Sequence, residues 1–139
     1  MTRRRETAAN ADAGLRALLS AETPVVTIVG KTWDLHVRDV LGVTLDENLA
    51  MIAESIAHCV AAGREVIYDA EHFFDGWKAN SEYAAETIKA AAGAGATVVI
   101  LCDTNGGMIP ARLQQIVREV FPLVKAPLGI HAHNDSDLA

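Results

Sequence analysis

Apolar residues recur along the chain in two rhythms, short unbroken runs rich in β-branched residues and longer stretches spaced by three and four. Leu15, Leu18 and Leu19 fall at helical spacing between Asp12 and Ser20, and Pro24 closes that segment before the run Val25-Val26-Thr27-Ile28-Val29, which reads as a strand. From Thr44 the helix signals agree. Thr44 and Glu47 have the spacing of a capping box, Leu45, Leu49, Ile52, Ile56 and Val60 make one apolar stripe, and Gly63 supplies the C-terminal stop. Val66-Ile67-Tyr68 reads as a buried strand, followed by a polar and aromatic loop through Lys78 and a helix from Ser81 to Ala92 ended by Gly93 and Gly95. The unit then repeats: a strand from Thr97 to Leu101, a helix from Pro110 to Val120 with Leu113, Ile116, Val117 and Val120 on one face, and a fourth strand begun by Leu128-Gly129-Ile130 after Pro127.

The order from the first strand is βαβαβαβ. Strand starts near Val25, Val66, Val98 and Leu128 lie about 30 to 40 residues apart, the length of a strand plus a crossover helix. A parallel sheet follows, and the unbroken apolar runs lead us to expect strands covered on both faces. Such a sheet either closes into a barrel or stays open and doubly wound. Both arrangements gather ligand groups at the carboxyl ends of the strands, and periodicity does not choose between them.

Bulk properties narrow the class. The 139 residues suffice for one domain with a core, and half of them are hydrophobic. No apolar run approaches the roughly 20 residues that span a bilayer. Twelve basic against 18 acidic residues give a net charge of −6, which argues against a phosphate-backbone binder. We therefore expect a soluble, cytoplasmic protein with neither nucleic-acid nor membrane partners. Cys59 and Cys102 lie far apart inside apolar stretches and suit buried free thiols better than a disulfide. The opening Met1-Thr2-Arg3-Arg4-Arg5 is followed closely by Glu6 and Asp12, with no secretory apolar core, and reads as part of the fold.

The polar residues fall at the strand ends: Lys31, Trp33, Asp34 and His36 after the first strand, and Asp69, Glu71 and His72 after the second. Asp103, Thr104 and Asn105 follow the third, and His131, His133, Asn134 and Asp135 the fourth. Solvated loop groups and caps explain any one of them taken singly. His131-Ala132-His133 carries more, because residues two apart on a strand point to one face, roughly 6 to 7 Å apart along it. Two imidazoles there either share a metal or sit hydrogen-bonded in the core, and a metal site needs at least one further protein ligand. Gly30-Lys31-Thr32 ends like a P-loop, but Val25 stands where its first glycine is required. With no GxGxxG after a strand, a dinucleotide-binding domain loses ground as well. Trp33, Phe73, Phe74 and Trp77 read as packing around the mouth rather than as ligand-stacking platforms.

Four stretches together resemble the 2-isopropylmalate and homocitrate synthase group of metal-dependent barrels, in its citramalate synthase branch. They are Thr27 to Val37 (TIVGKTWDLHV), Glu65 to Gly76 (EVIYDAEHFFDG), Leu101 to Gly107 (LCDTNGG) and Gly129 to Asp135 (GIHAHND). The HxHND stretch is shared with the wider superfamily, including 3-hydroxy-3-methylglutaryl-CoA lyase, whereas YDAEHFFDG and CDTNGG are more specific to the branch. The resemblance implies an α/β fold, a partial (β/α)8 TIM barrel of the pyruvate-carboxyltransferase type, in which residues 1–139 supply about four parallel strands, family strands 4 to 7. It further implies an acyltransferase that condenses acetyl-CoA with pyruvate to give (R)-citramalate and CoA, in isoleucine or related amino-acid biosynthesis. On it, His131 and His133 bind a divalent cation (Mg, Mn or Zn), Glu71 is catalytic, and Thr104 and Asp69 bind substrate.

The sequence departs from that family pattern in lacking the Arg-Asp or Arg-Glu first strand, the eighth strand and the regulatory domain. We therefore expect the chain to be inactive alone, and to self-associate or pair with a complementing barrel fragment through its open edges. Other specificities within the group, a related metal-dependent lyase, or a non-catalytic module are the competing readings.

Overall fold

Strands form where the β-branched runs lie: β1 (Val25–Lys31), β2 (Glu65–Glu71), β3 (Val98–Asp103) and β4 (Leu128–Ala132). They are seen in a computed structural model that describes residues 7–139; the basic opening stretch, read above as part of the fold, lies outside the described residues. Between the strands run α1 (Ala13–Ser20), α2 (Asp34–His36), α3 (Leu45–Ala61), α4 (Phe73–Ala79), α5 (Ser81–Gly93) and α6 (Pro110–Val120). The starts of α1, α3 and α5 are set by side-chain caps. The Leu15 N–H donates to Asp12 Oδ1 at 2.8 Å, the Glu47 N–H to Thr44 Oγ1 at 3.1 Å, and the Tyr83 N–H to Asn80 Oδ1 at 3.1 Å. Gly63, at φ +76°, ends α3 as its position suggested.

All strand pairs are parallel and the spatial order is β1-β2-β3-β4. Each crossover therefore advances by one strand in one direction. With the usual right-handed connection this lays the helices on a single face, whereas a doubly wound sheet requires the order to reverse. Burial agrees: Val26, Ile28, Val66, Tyr68, Ala70, Val99 and Leu101 share one core with Leu15 of α1, Ile52 and Ile56 of α3, Ile88 of α5 and Ile116 of α6. The sheet is thus an arc of a singly wound β/α barrel, which resolves the choice that periodicity left open.

The expectation that both strand faces are covered does not hold. Val25 is 39% exposed, Thr27 and Glu65 are exposed, and Ile67, Val98 and Ile100 are only half-buried. These residues face the inside of the arc, and a barrel interior is closed only by strands lying opposite.

A second difference concerns the segment read as a loop after β2, where α4 forms instead. Seven residues with a central glycine do not hold a helix by propensity, since Gly costs about 1 kcal/mol relative to Ala. Phe73 and Phe74 are fully buried, and each contributes roughly 1.5–3 kcal/mol of transfer free energy, so tertiary packing decides. Gly76 is required there, because a Cβ on it would lie 2.5 Å from the Thr32 carbonyl oxygen. The helix thereby rests directly on the corner after β1. A smaller apolar cluster of Val37, Val43, Met51 and Tyr83 closes the same end of the sheet.

Gly30 makes the other close approach, with Tyr68 leaning across it so that an added Cβ would stand 2.5 Å from the phenol oxygen and 2.7 Å from Cε2. Gly30→Ala is expected to lower the urea-unfolding free energy by about 1–3 kcal/mol. Gly93→Ala, at a position with no atom within 4 Å of a built Cβ, is expected to be neutral or to stabilise by up to about 1 kcal/mol. Equal effects at the two sites would contradict the packing described.

Candidate active site

Parallel pairing puts partners on the same face of a sheet, so register alone assembles a row of side chains inside the arc. Lys31 of β1 pairs with Glu71 of β2, and Cys102 of β3 pairs with His131 of β4. Asp69 lies one layer below Glu71, opposite Val29 and Ile100. The Lys31 ammonium forms an ion pair with the Glu71 carboxylate, both side chains being largely buried. Its place is fixed from behind, where Asn48 of α3, 2% exposed, donates Nδ2–H bonds of 2.8 Å to the Lys31 carbonyl and to the Tyr83 hydroxyl of α5.

The His131 and His133 rings stack with centroids 5.5 Å apart. Asp69, Cys102 and His131 each present a ligand atom within 4.8 Å of the other two, and Asp69 Oδ1 is buried with no hydrogen-bond partner among the described residues. A buried carboxylate oxygen without a donor costs free energy that a cation would recover. Imidazole nitrogen, carboxylate oxygen and sulfur are also the donor types that bind divalent transition metals. The residues present therefore fit such an ion.

Above this row the mouth is shaped by a strained residue. His72 adopts the left-handed conformation, φ 55° and ψ 33°, which costs a non-glycine residue about 1–2 kcal/mol. Both its peptide groups are held: its N–H donates to Thr104 Oγ1 at 2.9 Å, and its carbonyl accepts from the Gly76 N–H at 2.9 Å. The ring lies 3.3 Å from Asp75 through Nδ1, and Asp75 also accepts from Asn105 Nδ2 at 2.9 Å and pairs with Lys78 at 3.1 Å. The His36 ring meets His72 edge-on at 4.5 Å and lies 4.7 Å from Trp33. Burial, then coulombic repulsion from the neighbouring His72 ring and Lys31, push the His36 imidazole below its ordinary 6.5, against the opposing pull of Glu71 and Asp75.

Not every polar residue of the strand ends joins this site. Asp103 is 4% exposed and accepts from the backbone N–H groups of Gly107 at 3.2 Å and Met108 at 3.0 Å. It shapes the loop that carries Thr104. Asp34 pairs with Arg38 at 3.3 Å, and Asn134 bonds Asp137 and the Ala139 N–H. Phe73 and Phe74 are packing groups as expected, stacked edge to face at 5.7 Å. Cys102 is buried and free as expected, yet its side chain faces the site; burial and the Asp69 and Glu71 carboxylates push its thiol up to about 12. The apolar surroundings in sequence hid this, and only its alternation with the buried Leu101 signalled the inward face.

The fold and site define an arc of a β/α barrel with an imidazole, carboxylate and thiol centre at the carboxyl ends of its strands. The chain belongs to the HMGL-like family, whose model matches residues 4–139. Over 99% of its length it is 52% identical to the (R)-citramalate synthases of Geobacter sulfurreducens and Aquifex aeolicus. It is 31% identical over 88% of its length to a probable 2-isopropylmalate synthase of Methanopyrus kandleri. The chain spans about a quarter, 26%, of the length of those citramalate synthases. In structure it is similar to the HMG-CoA lyase of Brucella melitensis, with a TM-score of 0.77 at 16% identity over 91% of this chain and 46% of that one. The Bacillus subtilis HMG-CoA lyase matches alike, TM-score 0.76 over 87% of this chain and 42% of that one. Those likenesses support the partial-barrel fold.

Two outcomes test the site's construction. Thr104→Val leaves the His72 N–H without its acceptor and is expected to cost about 1–3 kcal/mol, with faster amide exchange at His72, whereas Thr104→Ser retains both; unchanged exchange in the valine variant would contradict the bond's role. Because His36 is held below 6.5, folding favours its neutral ring: that contribution is complete above 6.5 and is lost as pH falls through the lowered folded value. A His36→Gln variant should therefore lose less stability than the parent between about pH 7 and about pH 5 in urea unfolding.

Proposed function

We propose that the chain is a four-strand segment of a citramalate synthase-type enzyme that condenses acetyl-CoA with pyruvate to give (R)-citramalate and CoA. The observation that supports this reading is the register that turns His131 to the same interior face as Glu71, with the His133 ring stacked on His131 and Thr104 bonded to the His72 N–H. It is supported by about 50% identity to several (R)-citramalate synthases over nearly the whole chain. Among the described residues no helix is long and apolar enough to cross a membrane.

His131 and His133, with oxygen donors, would hold a divalent cation, which when bound supplies Lewis-acid polarisation of the keto-acid carbonyl. Thr104 Oγ1 already accepts the His72 N–H, so its own O–H is free to donate toward the keto-acid carboxylate. Lys31 holds one Glu71 oxygen in an ion pair, leaving the other oxygen of the same carboxylate to take a methyl proton from the acetyl thioester. Asp69, taken from the sequence as a substrate-binding residue, stands beside His131 and Cys102. A carboxylate there repels a keto-acid anion directly, so its contribution to substrate binding runs through a shared cation.

The test grafts this chain in place of the matching segment of the Geobacter sulfurreducens (R)-citramalate synthase and follows CoA release. A folded chimera should release CoA with pyruvate and acetyl-CoA, and Glu71→Gln within it should lower turnover by about 10²- to 10⁴-fold. A folded chimera without pyruvate-dependent CoA release, or one indifferent to Glu71→Gln, would overturn the assignment.

A further inference from the structure

We propose that Asp75 is a positioning residue: through His72 and Asn105 it closes a ring of hydrogen bonds that holds Glu71 and the Thr104 hydroxyl at one fixed separation. The inference rests on the reading that those two groups serve a condensation, and it adds what keeps them in step.

Three bonds make the ring. Asp75 Oδ2 accepts from the His72 imidazole at Nδ1, 3.3 Å away, and from the Asn105 side-chain amide at 2.9 Å. The His72 backbone N–H donates to Thr104 Oγ1 at 2.9 Å, and Thr104 is covalently joined to Asn105, so the circuit returns to its start. It ties the loop after β2 to the loop after β3. Asp75 is suited to anchor both, because its neighbours on α4 are Phe74, fully buried, and Gly76, seated against the Thr32 carbonyl. Its backbone therefore follows neither loop. The Asp75 side chain is 14% exposed and that of His72 13%, and bonds so sheltered are stronger than the same bonds in water. Lys78 takes the other oxygen, Oδ1, at 3.1 Å, which leaves Oδ2 to the two loops. His36 and Trp33 pack against the His72 ring at 4.5 and 5.9 Å and limit its rotation.

Two physical consequences follow from the closed ring. A carboxylate accepts and does not donate, so the proton of the neutral His72 imidazole sits on Nδ1 and Nε2 is bare. Glu71, next to His72 in the chain, and Thr104 belong to different strand ends, and in the proposed reaction they act on different reactants, the acetyl thioester and the keto acid. A relative displacement of about 1 Å between such groups costs on the order of 100-fold in rate. The ring opposes that displacement.

A spectroscopic and a kinetic measurement test this together. Nitrogen NMR of the isotope-labelled 139-residue chain, with the His72 ring assigned through His72→Gln, should show Nδ1 protonated at a pH where the ring is neutral. Asp75→Ala should release the proton toward Nε2 and speed amide exchange at His72, whereas Asp75→Asn, whose amide oxygen still accepts from both donors, should retain the parent's behaviour. In the chimera with the Geobacter sulfurreducens enzyme, Asp75→Ala should lower kcat/KM for pyruvate by about 10- to 100-fold, with KM for acetyl-CoA held within about twofold. Asn105→Ala, at an exposed position that the fold tolerates, should act in the same direction, and the double variant should lose no more than Asp75→Ala alone, because both open one ring. His72 protonated on Nε2 in the parent chain, or losses that simply add in the double variant, would overturn the ring. An active chimera indifferent to Asp75→Ala would overturn the positioning role and leave the proposed function standing. A folded chimera without pyruvate-dependent CoA release would overturn the function and the catalytic role of Asp75 with it, while the His72 tautomer still reports on the bonds themselves.

Discussion

Parallel pairing in an order that never reverses is the constraint on which this molecule depends. It fixes two things at once. Alternate side chains of every strand turn to the helices and build the core around Tyr68, Ile56 and Ile88. The intervening ones turn inward, so a shift of one residue in any strand would exchange the two sets. Lys31 beside Glu71, and Cys102 beside His131, are consequences of that register rather than of any motif. The site exists because four strands end level with one another.

What sits above the strand ends is held by contacts unrelated to the chemistry. Gly76 lets α4 lie on the Thr32 backbone, and Thr32 in turn donates its hydroxyl to the Glu71 carbonyl at 2.6 Å. Glu71 is therefore tied through its main chain to β1 and through its side chain to Lys31. His72, next along, spends conformational energy to turn the chain and is pinned by Thr104 and Gly76. A carboxylate at the end of β2 and a hydroxyl just past β3 are thereby held in place without depending on loop rigidity alone.

Much of this was legible in the sequence, for identifiable reasons. Capped, periodic helices such as α3 and β-branched runs such as Val25 to Val29 declare themselves locally, and an HxH at a strand end declares a common face. Strand order has no local signature, so barrel and open sheet stayed undivided until the pairing was seen. The α4 segment was misread because burial of Phe73 and Phe74, not propensity, makes it helical. The inward face of Cys102 had no local sign for a related reason: its neighbours are apolar, and only its alternation with Leu101 and its pairing with His131 turn it toward the carboxylates. Resemblance to a known family pointed to His131, His133, Glu71 and Thr104, and could say nothing of the thiol between them.

The central claim is that a cation-binding face lies inside the arc, shared by the paired histidines and Glu71. Anomalous scattering from a zinc-soaked crystal of the chain tests it most directly. The account predicts a peak at about 2.0–2.1 Å from a His131 ring nitrogen, on the face that carries Glu71. A peak on the helix side of β4, or none on the interior face at saturating zinc, would contradict it.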